Sequence, residues 1–340
     1  MILTNQELIP LLHGVVRTVD KGDGFLHLFR FTEKQVAFYK TVNHPTKTLF
    51  FEKAHASSNM RIAFTTNSSF FSFDYYTTRA ASREYYYYDV YVDGVMVHHQ
   101  GEESVRVGTG TVRVELPEGE HAVTVYCPPL FSTALANFTL DDGATVAPVE
   151  KSRRMLILGD SITQGYDARF SSQSYANLLA DMLDATSVNQ GIGGETFNPG
   201  MLDFDLGFTP DIVTVAYGSN DFTKCTKEEM TENAREYYRL LREAYPNAQI
   251  FSILPIWRID CVKTYAMRFE EAIDIAREAA LSVGAVPIEG LKIVPNMREF
   301  FADAKVLHPN ELGFNFYAKG VYNAIKDYLD NGHPNPGKEL

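Results

Sequence analysis

The chain has 340 residues, of which 45% are hydrophobic and 22% are charged. These values are typical of a globular protein long enough for two domains, and they exclude intrinsic disorder as its main state. The 43 acidic residues outnumber the 31 lysines and arginines, so the formal net charge is −12. The chain therefore lacks the basic footprint of a nucleic-acid binder or of a membrane-surface helix.

Residues 1–148 are dominated by short β-strand patterns with turn residues between them. A short helix is predicted near residues 7–12. The predicted strands cover 70–76, 86–92, 95–97, 105–107, 111–116 and 122–126. Asp93-Gly94 separates two of them, and this dipeptide is a strong hairpin signal. The spacing predicts an all-β sandwich or jelly-roll domain over residues 1–148.

Residues 149–340 alternate between strand and helix patterns. The predicted strands lie at 155–158, from 187, at 212–216, 250–256 and 285–288, and the predicted helices lie at 174–183, 226–245, 265–283 and 313–329. This alternation predicts an α/β domain with a parallel five-stranded sheet and helices on both faces. In such folds the functional site lies at the carboxyl ends of the strands.

A serine follows the first of these strands. Gly159-Asp160-Ser161 ends the strand and opens the next helix, which places the hydroxyl at the rim of the sheet. A serine there can act as a nucleophile, and its backbone N–H lies at the positive end of the helix. The alternative interpretation is an ordinary N-cap serine, because a three-residue motif also occurs by chance.

Two further strand ends carry glycine or amide groups. The segment 189–196 contains three glycines, which allow a backbone N–H to approach a ligand or simply form a tight turn. In Gly218-Ser219-Asn220-Asp221, the Asn220 amide can donate into the same rim or cap a helix. Either segment alone is weak support for a site.

A histidine completes the set of rim residues. His308 and His333 are the histidines of the second half, and His333 lies in the tail after the last predicted helix. If Ser161 needs a histidine base from its own domain, His308 is the candidate. The alternative is a surface or capping histidine.

The four segments, in this order, resemble the four sequence blocks of the SGNH (GDSL-like) hydrolases over about residues 151–330. Ser161 matches the nucleophile, Gly194 and Asn220 match the oxyanion residues, and His308 in His-Pro-Asn-x-x-Gly matches the catalytic histidine. The resemblance implies a flavodoxin-like three-layer domain over 149–340 and an acyl-enzyme mechanism without metal or cofactor. It also implies that the oxyanion is held by the N–H groups of Ser161 and Gly194 and by the Asn220 side chain.

The sequence departs from the family at the acid that orients the histidine. The family usually places an acidic residue three positions before the histidine, where this chain has Lys305. We therefore expect Asp303 to orient His308, with Glu299 as the second choice. Some relatives use a backbone carbonyl to orient the histidine instead of an acid. Glu311 is a less suitable acid, because it is expected to point into the following helix.

Residues after the fourth strand of the α/β half are candidates for substrate binding. Trp257 and Arg258 follow that strand and are expected at the catalytic rim, where an aromatic ring could stack on a sugar or acyl group. The alternative for Trp257 is a core or interdomain aromatic. Cys225 and Cys261 also follow strand ends, but with His333 in the tail no histidine other than His308 is expected near a thiol.

The resemblance extends to SGNH enzymes that carry a jelly-roll-like domain before the catalytic one. It implies a short-chain esterase that removes acetyl groups from a carbohydrate, with a small-molecule or oligosaccharide ester as the partner. An acyltransferase with the same machinery and a carbohydrate-binding protein with a decayed site are the alternatives, the latter suggested by Lys305. The tyrosine-rich first domain either binds carbohydrate or, as we favour, has a structural role.

The remaining sequence signals concern location. The segment Met1–Glu7 has no basic or apolar signal pattern, and the chain has no run of 18 apolar residues. The three cysteines are irregularly spaced and are expected to be reduced thiols. These features predict a cytoplasmic protein without a membrane segment.

Overall fold

The computed structural model describes residues 1–42, 50–302 and 306–331. Contacts between Cα atoms divide the chain into two compact units. The first comprises Met1–Ser152, Arg169–Ser172 and Thr186–Gln190, and the second comprises Arg153–Ala168, Gln173–Ala185 and the described residues from Gly191 onward. The division of the chain into domains 1–148 and 149–340 stays a prediction.

Two antiparallel sheets make up most of the first unit. The strands are β1 (Leu12–His13), β2 (Arg17–Asp20), β3 (Leu26–Phe29), β4 (Arg61–Thr66), β5 (Phe70–Thr78), β6 (Tyr85–Val92), β7 (Val95–Glu103), β8 (Val107–Glu115), β9 (His121–Tyr126), β10 (Ala134–Leu140) and β11 (Val146–Pro148). One sheet has the order β1-β4-β9-β6-β7 with β11 paired to β4, and the other has the order β2-β3-β10-β5-β8. The helices of this part are α1 (Asn5–Leu8), α2 (Glu33–Thr41) and α3 (Phe50–Lys53).

Aromatic side chains from the two sheets form the core of this unit. On β5 the buried residues alternate with partly exposed ones, as expected for a strand with one face on the core. The Phe73 ring lies 6.1 Å from the Tyr88 ring of β6, and Phe64 of β4 lies 5.5 Å from Phe71 of β5. Tyr86 and Tyr88 are fully buried. The predicted β-sandwich is confirmed, and these two tyrosines of the Tyr85–Tyr88 run are core side chains.

The predicted hairpin at Asp93-Gly94 is also confirmed. Val92 at the end of β6 pairs with Val95 at the start of β7. Asp93 and Gly94 both have positive φ, 50° and 80°, as a two-residue type I′ turn requires.

A parallel sheet flanked by helices forms the second half of the chain. Its strands are β12 (Arg153–Gly159), β13 (Ala185–Asn189), β14 (Ile212–Ala216), β15 (Gln249–Ile253) and β16 (Val286–Ile288), in the order β13-β12-β14-β15-β16. The helices are α4 (Ser161–Gln164), α5 (Tyr175–Met182), α6 (Asp221–Lys224), α7 (Lys227–Ala244), α8 (Phe269–Leu281) and α9 (Glu311–Asn331). Short 3₁₀ turns cover Ile9–Leu11, Ser171–Gln173, Pro199–Met201, Gly290–Lys292 and Arg298–Phe300. The strand order is that of flavodoxin-like folds, so the predicted α/β class is confirmed.

The residue pattern explains these elements. All five residues of β14 are buried, as expected for a parallel strand covered by helices on both faces. Helix α7 begins with a capping box in which Thr226 and Glu229 satisfy each other's backbone N–H groups. Its buried residues Met230, Tyr237 and Leu241 recur at helical spacing. Among the described residues, no helix combines the length and apolar character needed to cross a membrane.

We expect Ile157→Ala to lower the free energy of unfolding by about 2–5 kcal/mol, because Ile157 is fully buried in β12 and truncation leaves a cavity. Leu281→Ala is the control, since Leu281 is 55% exposed at the end of α8 and should change stability by no more than roughly 0.5 kcal/mol. Chemical denaturation followed by circular dichroism measures both. Equal losses in the two variants would contradict the assignment of Ile157 to the core.

Candidate active site

Two adjacent strands of the parallel sheet end at the same level. Gly159 at the end of β12 pairs with Ala216 at the end of β14. Ser161 begins α4 directly after β12, and Asn220 precedes α6 after β14. The carboxyl edge of the sheet thus carries both residues, as the sequence predicts.

Ser161 and His308 are in direct contact. His308 Nε2 lies 2.9 Å from Ser161 Oγ, and the two residues are 7% and 9% exposed, respectively. The backbone carbonyl of His308 accepts a hydrogen bond from Ala302 N–H, and Asn310 Oδ1 accepts one from Gly313 N–H in the first turn of α9. The hydrogen bond from Ala302 therefore holds the backbone of His308 on one side, and the capped first turn of α9 follows it on the other.

The other imidazole nitrogen of His308 is hydrogen-bonded to a carboxylate. Asp167 Oδ2 lies 2.8 Å from His308 Nδ1, and both side chains are largely buried. The chain reaches this position because α4 ends at Gly165, which has φ +91°, and Asp167 itself has φ +69°. The Tyr166 ring packs against the imidazole, with ring centroids 5.3 Å apart. Ser161, His308 and Asp167 therefore form a continuous hydrogen-bonded chain.

This arrangement differs from the sequence prediction for the acid. Asp303 and Lys305 lie outside the described residues. The carboxylate on His308 Nδ1 belongs to Asp167, which is not among the residues predicted from the sequence. Glu299, the second choice, lies in the 3₁₀ turn Arg298–Phe300.

The sequence does contain a signal for Asp167. A glycine soon after the nucleophile, at Gly165, favours a left-handed turn that reverses the chain toward the site. Aspartate tolerates positive φ better than most residues, so it can continue such a turn. This combination lies just after the nucleophile, 141 residues before His308, and not in the histidine segment.

The Asn220 side chain is tied to the residue before the nucleophile. Asn220 Nδ2 donates to Asp160 Oδ2 over 3.1 Å, and Asp160 Oδ1 accepts from Ile162 N–H over 3.0 Å. Asp160 thereby caps α4 and orients the Asn220 amide. Burial raises the pKa of Asp160, while the hydrogen bond from Ile162 N–H opposes this rise.

A second buried carboxylate joins the glycine-rich segment to the Asn220 loop. Asp221 Oδ1 accepts from Phe197 N–H over 2.9 Å, and Oδ2 accepts from Gly218 N–H over 3.0 Å. Gly218 has φ +110°, and a Cβ on it would meet Pro255 at 2.8 Å, so the loop requires glycine there. Burial raises the pKa of Asp221 to about 6.

Gly194 lies in the segment that Asp221 holds. Its φ of +89° is in the left-handed region. The Gly194 carbonyl accepts a hydrogen bond from Lys224 Nζ over 2.5 Å, and Gly193 N–H donates to Gln164 Oε1 over 2.6 Å. Gln164 of α4 therefore fixes the Ile192–Gly193 peptide group, and Lys224 of α6 fixes the Gly194–Glu195 peptide group.

Trp257 packs in the hydrophobic core of the α/β half. It is partly buried against the core cluster, and its ring lies 5.6 Å from the Phe301 ring in an edge-to-face arrangement. These contacts agree with the alternative of a core aromatic. A role of Trp257 in substrate binding stays a prediction.

Arg258 is buried and bonded to protein groups. Its Nη1 donates to the Ser219 carbonyl over 2.6 Å, and its Nε and Nη2 donate to the Asp260 carboxylate. These contacts face the loop of Asn220. Substrate binding by Arg258 likewise stays a prediction.

Over the part of the chain that the structure describes, the cysteines and the clusters of possible metal ligands add no second site. Burial raises the pKa of Cys225 to about 12, which disfavours the reactive thiolate. Within residues 1–42, 50–302 and 306–331, no group of three or more His, Cys, Asp or Glu side chains is arranged to hold a metal ion.

Part of the chain is similar to a known protein family. Residues 157–316 match the model of the GDSL-like lipase/acylhydrolase family. An arylesterase from Vibrio mimicus is 29% identical over 116 residues, which cover 32% of this chain and 58% of that protein. The match therefore spans less than two thirds of the arylesterase.

Two solved structures share the fold. A salicylyl-acyltransferase from a tetracycline biosynthetic pathway has 18% identity and a TM-score of 0.83, and the likeness covers 97% of both chains. A family two carbohydrate esterase from Clostridium thermocellum, in complex with cellohexaose, has 18% identity and a TM-score of 0.61 over 81% of this chain and 94% of its own.

We expect Asp167→Asn to lower kcat for ester substrates by about 10²–10⁴-fold, because an amide cannot hold the imidazole in the required tautomer or stabilise its cation. Asp303→Asn and Glu299→Gln are the matched controls and should stay within about threefold of the native kcat. Steady-state kinetics of the three variants checks this. A large loss in Asp303→Asn with none in Asp167→Asn would reverse the assignment.

The raised pKa of Asp221 predicts a pH-dependent stability. A carboxyl whose folded pKa of about 6 exceeds its unfolded value stabilises the folded state at low pH, and this contribution is lost as pH rises through 6. The difference in unfolding free energy between the native protein and Asp221→Asn should therefore shift against the native protein by roughly 2–3 kcal/mol between pH 4 and pH 7. Urea denaturation of both proteins across this range measures it. A difference that is flat, or that grows in favour of the native protein, would contradict the raised pKa.

Proposed function

Because residues 157–316 belong to the GDSL-like lipase/acylhydrolase family, we propose that the protein is a carboxylic ester hydrolase acting through Ser161, His308 and Asp167. The observation that carries this proposal is the hydrogen-bonded chain from Ser161 Oγ to His308 Nε2, and from His308 Nδ1 to Asp167. In this arrangement a hydroxyl, a base and an orienting carboxylate lie in the order that acyl transfer requires.

The proposed reaction begins with attack of Ser161 Oγ on the ester carbonyl carbon. The Asp167 carboxylate favours the imidazole tautomer with hydrogen on Nδ1, so Nε2 can accept the serine proton. The tetrahedral intermediate then expels the alcohol, which takes this proton from Nε2. Water, deprotonated by the same nitrogen, then attacks the acyl carbon. The bond from this carbon to Ser161 Oγ breaks, the acid leaves, and Nε2 returns the proton to Oγ.

The developing oxyanion needs preorganised donors. We assign the backbone N–H groups of Ser161 and Gly194 and the side-chain amide of Asn220 to this role. Asn220 Nδ2 carries two hydrogens, of which one is used by Asp160, so the second can be aimed at substrate. Each such donor contributes about 10²–10³-fold to the rate.

For the substrate we propose a short-chain ester, with an acetyl group on a carbohydrate as the first choice. The likeness in fold to a carbohydrate esterase crystallised with cellohexaose supports this class. The mechanism needs no metal or cofactor. The three cysteines are free thiols, which supports the predicted cytoplasmic location.

Acyl transfer to an alcohol is the second candidate. The likeness to a salicylyl-acyltransferase over 97% of both chains favours it, although fold alone does not set the acceptor. A carbohydrate-binding protein with a decayed site is less well supported, because Ser161, His308 and Asp167 retain their mutual hydrogen bonds.

We expect the native protein to hydrolyse p-nitrophenyl acetate faster than the butyrate and octanoate esters. Ser161→Ala should lower kcat by several orders of magnitude, because it removes the nucleophile. Ser282→Ala, which removes the hydroxyl of an exposed serine directly after α8, is the matched control and should retain most activity. Acetylated oligosaccharides then test the alcohol part.

Two results would contradict the proposal. Native turnover no higher than that of Ser161→Ala would exclude a simple esterase. If added alcohols are acylated in preference to water, as shown by mass spectrometry of the products, the protein is an acyltransferase.

A further inference from the structure

Arg258 is a buried cation whose hydrogen bonds join two loops of the α/β half. Its side chain is only 10% exposed, although Arg258 lies in the loop that follows β15 at the rim of the sheet. Nη1 donates to the Ser219 carbonyl over 2.6 Å, while Nε and Nη2 donate to Asp260 Oδ1 and Oδ2 over 2.5 and 3.0 Å. This paired contact is the geometry in which a guanidinium is held most rigidly.

The carbonyl that Arg258 holds belongs to the peptide group before Asn220. Because a peptide is planar, fixing the Ser219 oxygen also fixes the direction of the Asn220 N–H and the position of its Cα. The preceding residue, Gly218, adopts a φ of +110°, which is open to glycine and gives the backbone freedom to turn. The anchor on the Ser219 carbonyl therefore adds to the hydrogen bond by which Asp221 Oδ2 holds the Gly218 N–H.

Arg258 is itself anchored on the side away from Ser219. Tyr265 Oη donates to Asp260 Oδ2 over 2.9 Å. The guanidinium carbon also lies 5.4 Å from the centre of the Phe222 ring, in α6 directly after the Asn220–Asp221 pair. Burial tends to raise the pKa of Asp260, but hydrogen bonds from Arg258 and Tyr265 hold it below its ordinary value. Asp260 thus remains an ionised anchor at neutral pH.

We propose that Arg258 is a positioning residue that acts through Ser219 to hold the Asn220 amide where the oxyanion forms. This inference rests on the proposed function, since it assigns Asn220 to the oxyanion. It replaces direct substrate binding as the role of Arg258, because the donors that contact Ser219 and Asp260 are directed to the protein. Its effect should appear in the chemical step and not in the affinity for substrate.

The first test compares Arg258→Gln with Arg242→Gln. Arg242 is a matched control because it also donates to backbone carbonyls, including that of Ala248, but at the opposite end of β15. Arg258→Gln should lower kcat for p-nitrophenyl acetate by about 10–100-fold with KM changed less than about threefold, whereas Arg242→Gln should affect stability alone. Arg258→Lys should recover part of the loss. A raised KM with unchanged kcat would overturn the proposal in favour of substrate binding.

The second test asks whether Arg258 acts through Asn220. In a double-mutant cycle, Arg258→Gln should slow the Asn220→Ala protein by less than about threefold, because the group it positions is already absent. If the full loss is retained in that background, Arg258 does not act through Asn220 and the proposal is wrong.

A third measurement separates failure of this inference from failure of the proposed function. A p-nitrophenyl alkylphosphonate phosphonylates an active serine once and releases p-nitrophenol, whether the natural reaction is hydrolysis or acyl transfer. We expect Arg258→Gln to slow this step by a factor similar to its loss in kcat, with the adduct on Ser161 identified by mass spectrometry. Slowed phosphonylation in a protein that hydrolyses no ester would contradict the esterase function and support the positioning role. An unchanged rate would overturn the positioning role, and no labelling of the native Ser161 would overturn both.

Discussion

The loops that leave β12 and β14 must satisfy their backbone N–H groups at a rim where most of the surrounding groups are buried. An unpaired buried donor costs about 1–3 kcal/mol, so this requirement limits how the loops can be arranged. Asp160 and Asp221 meet it by accepting hydrogen bonds from Ile162, Phe197 and Gly218. The helix that carries Ser161, the Gly194 segment and the Asn220 loop therefore depend on two carboxylates, and a displacement of one loop disturbs the others.

These carboxylates impose an electrostatic requirement on their surroundings. Burial raises the pKa of both, in Asp221 to about 6, because an anion is poorly stabilised away from water. The positive charges of Lys224 and Arg258 act in the opposite direction and lower the pKa of Asp160. The cations near the site thus stabilise the anions that organise it. The same anions favour the imidazolium that forms when Ser161 loses its proton.

The sequence predicts most of the fold because its signals are local. The apolar run Met155–Leu158 is buried in a central parallel strand, and Asp93-Gly94 forms a turn whose positive φ angles suit those two residues. Strand ends in a parallel sheet meet at one edge, which is why Ser161 and Asn220 could be assigned to the same rim. Their chemistry follows from residue type and position, without a knowledge of side-chain direction.

The parts that escaped prediction depend on side-chain direction. Asp167 reaches His308 because Gly165 and Asp167 itself adopt positive φ. A sequence does not show this turn, and it therefore favours Asp303, which lies closer to the histidine along the chain. Arg258 follows β15, but the sequence does not show whether its guanidinium points to a ligand or to the Ser219 carbonyl. In both cases the competing conformations differ by hydrogen bonds whose partners are distant in sequence.

The distinction between hydrolysis and acyl transfer depends on the second half of the reaction. Both use the same acyl-Ser161 intermediate, and in both His308 Nε2 must deprotonate the acceptor, whether water or an alcohol. The imidazole is only 7% exposed, and the Tyr166 ring packs against it. An acceptor therefore has to approach Nε2 through the space that the leaving alcohol has vacated. If the groups that bind this alcohol retain affinity for a second one, transfer competes with water; if they do not, water reacts and the enzyme is an esterase.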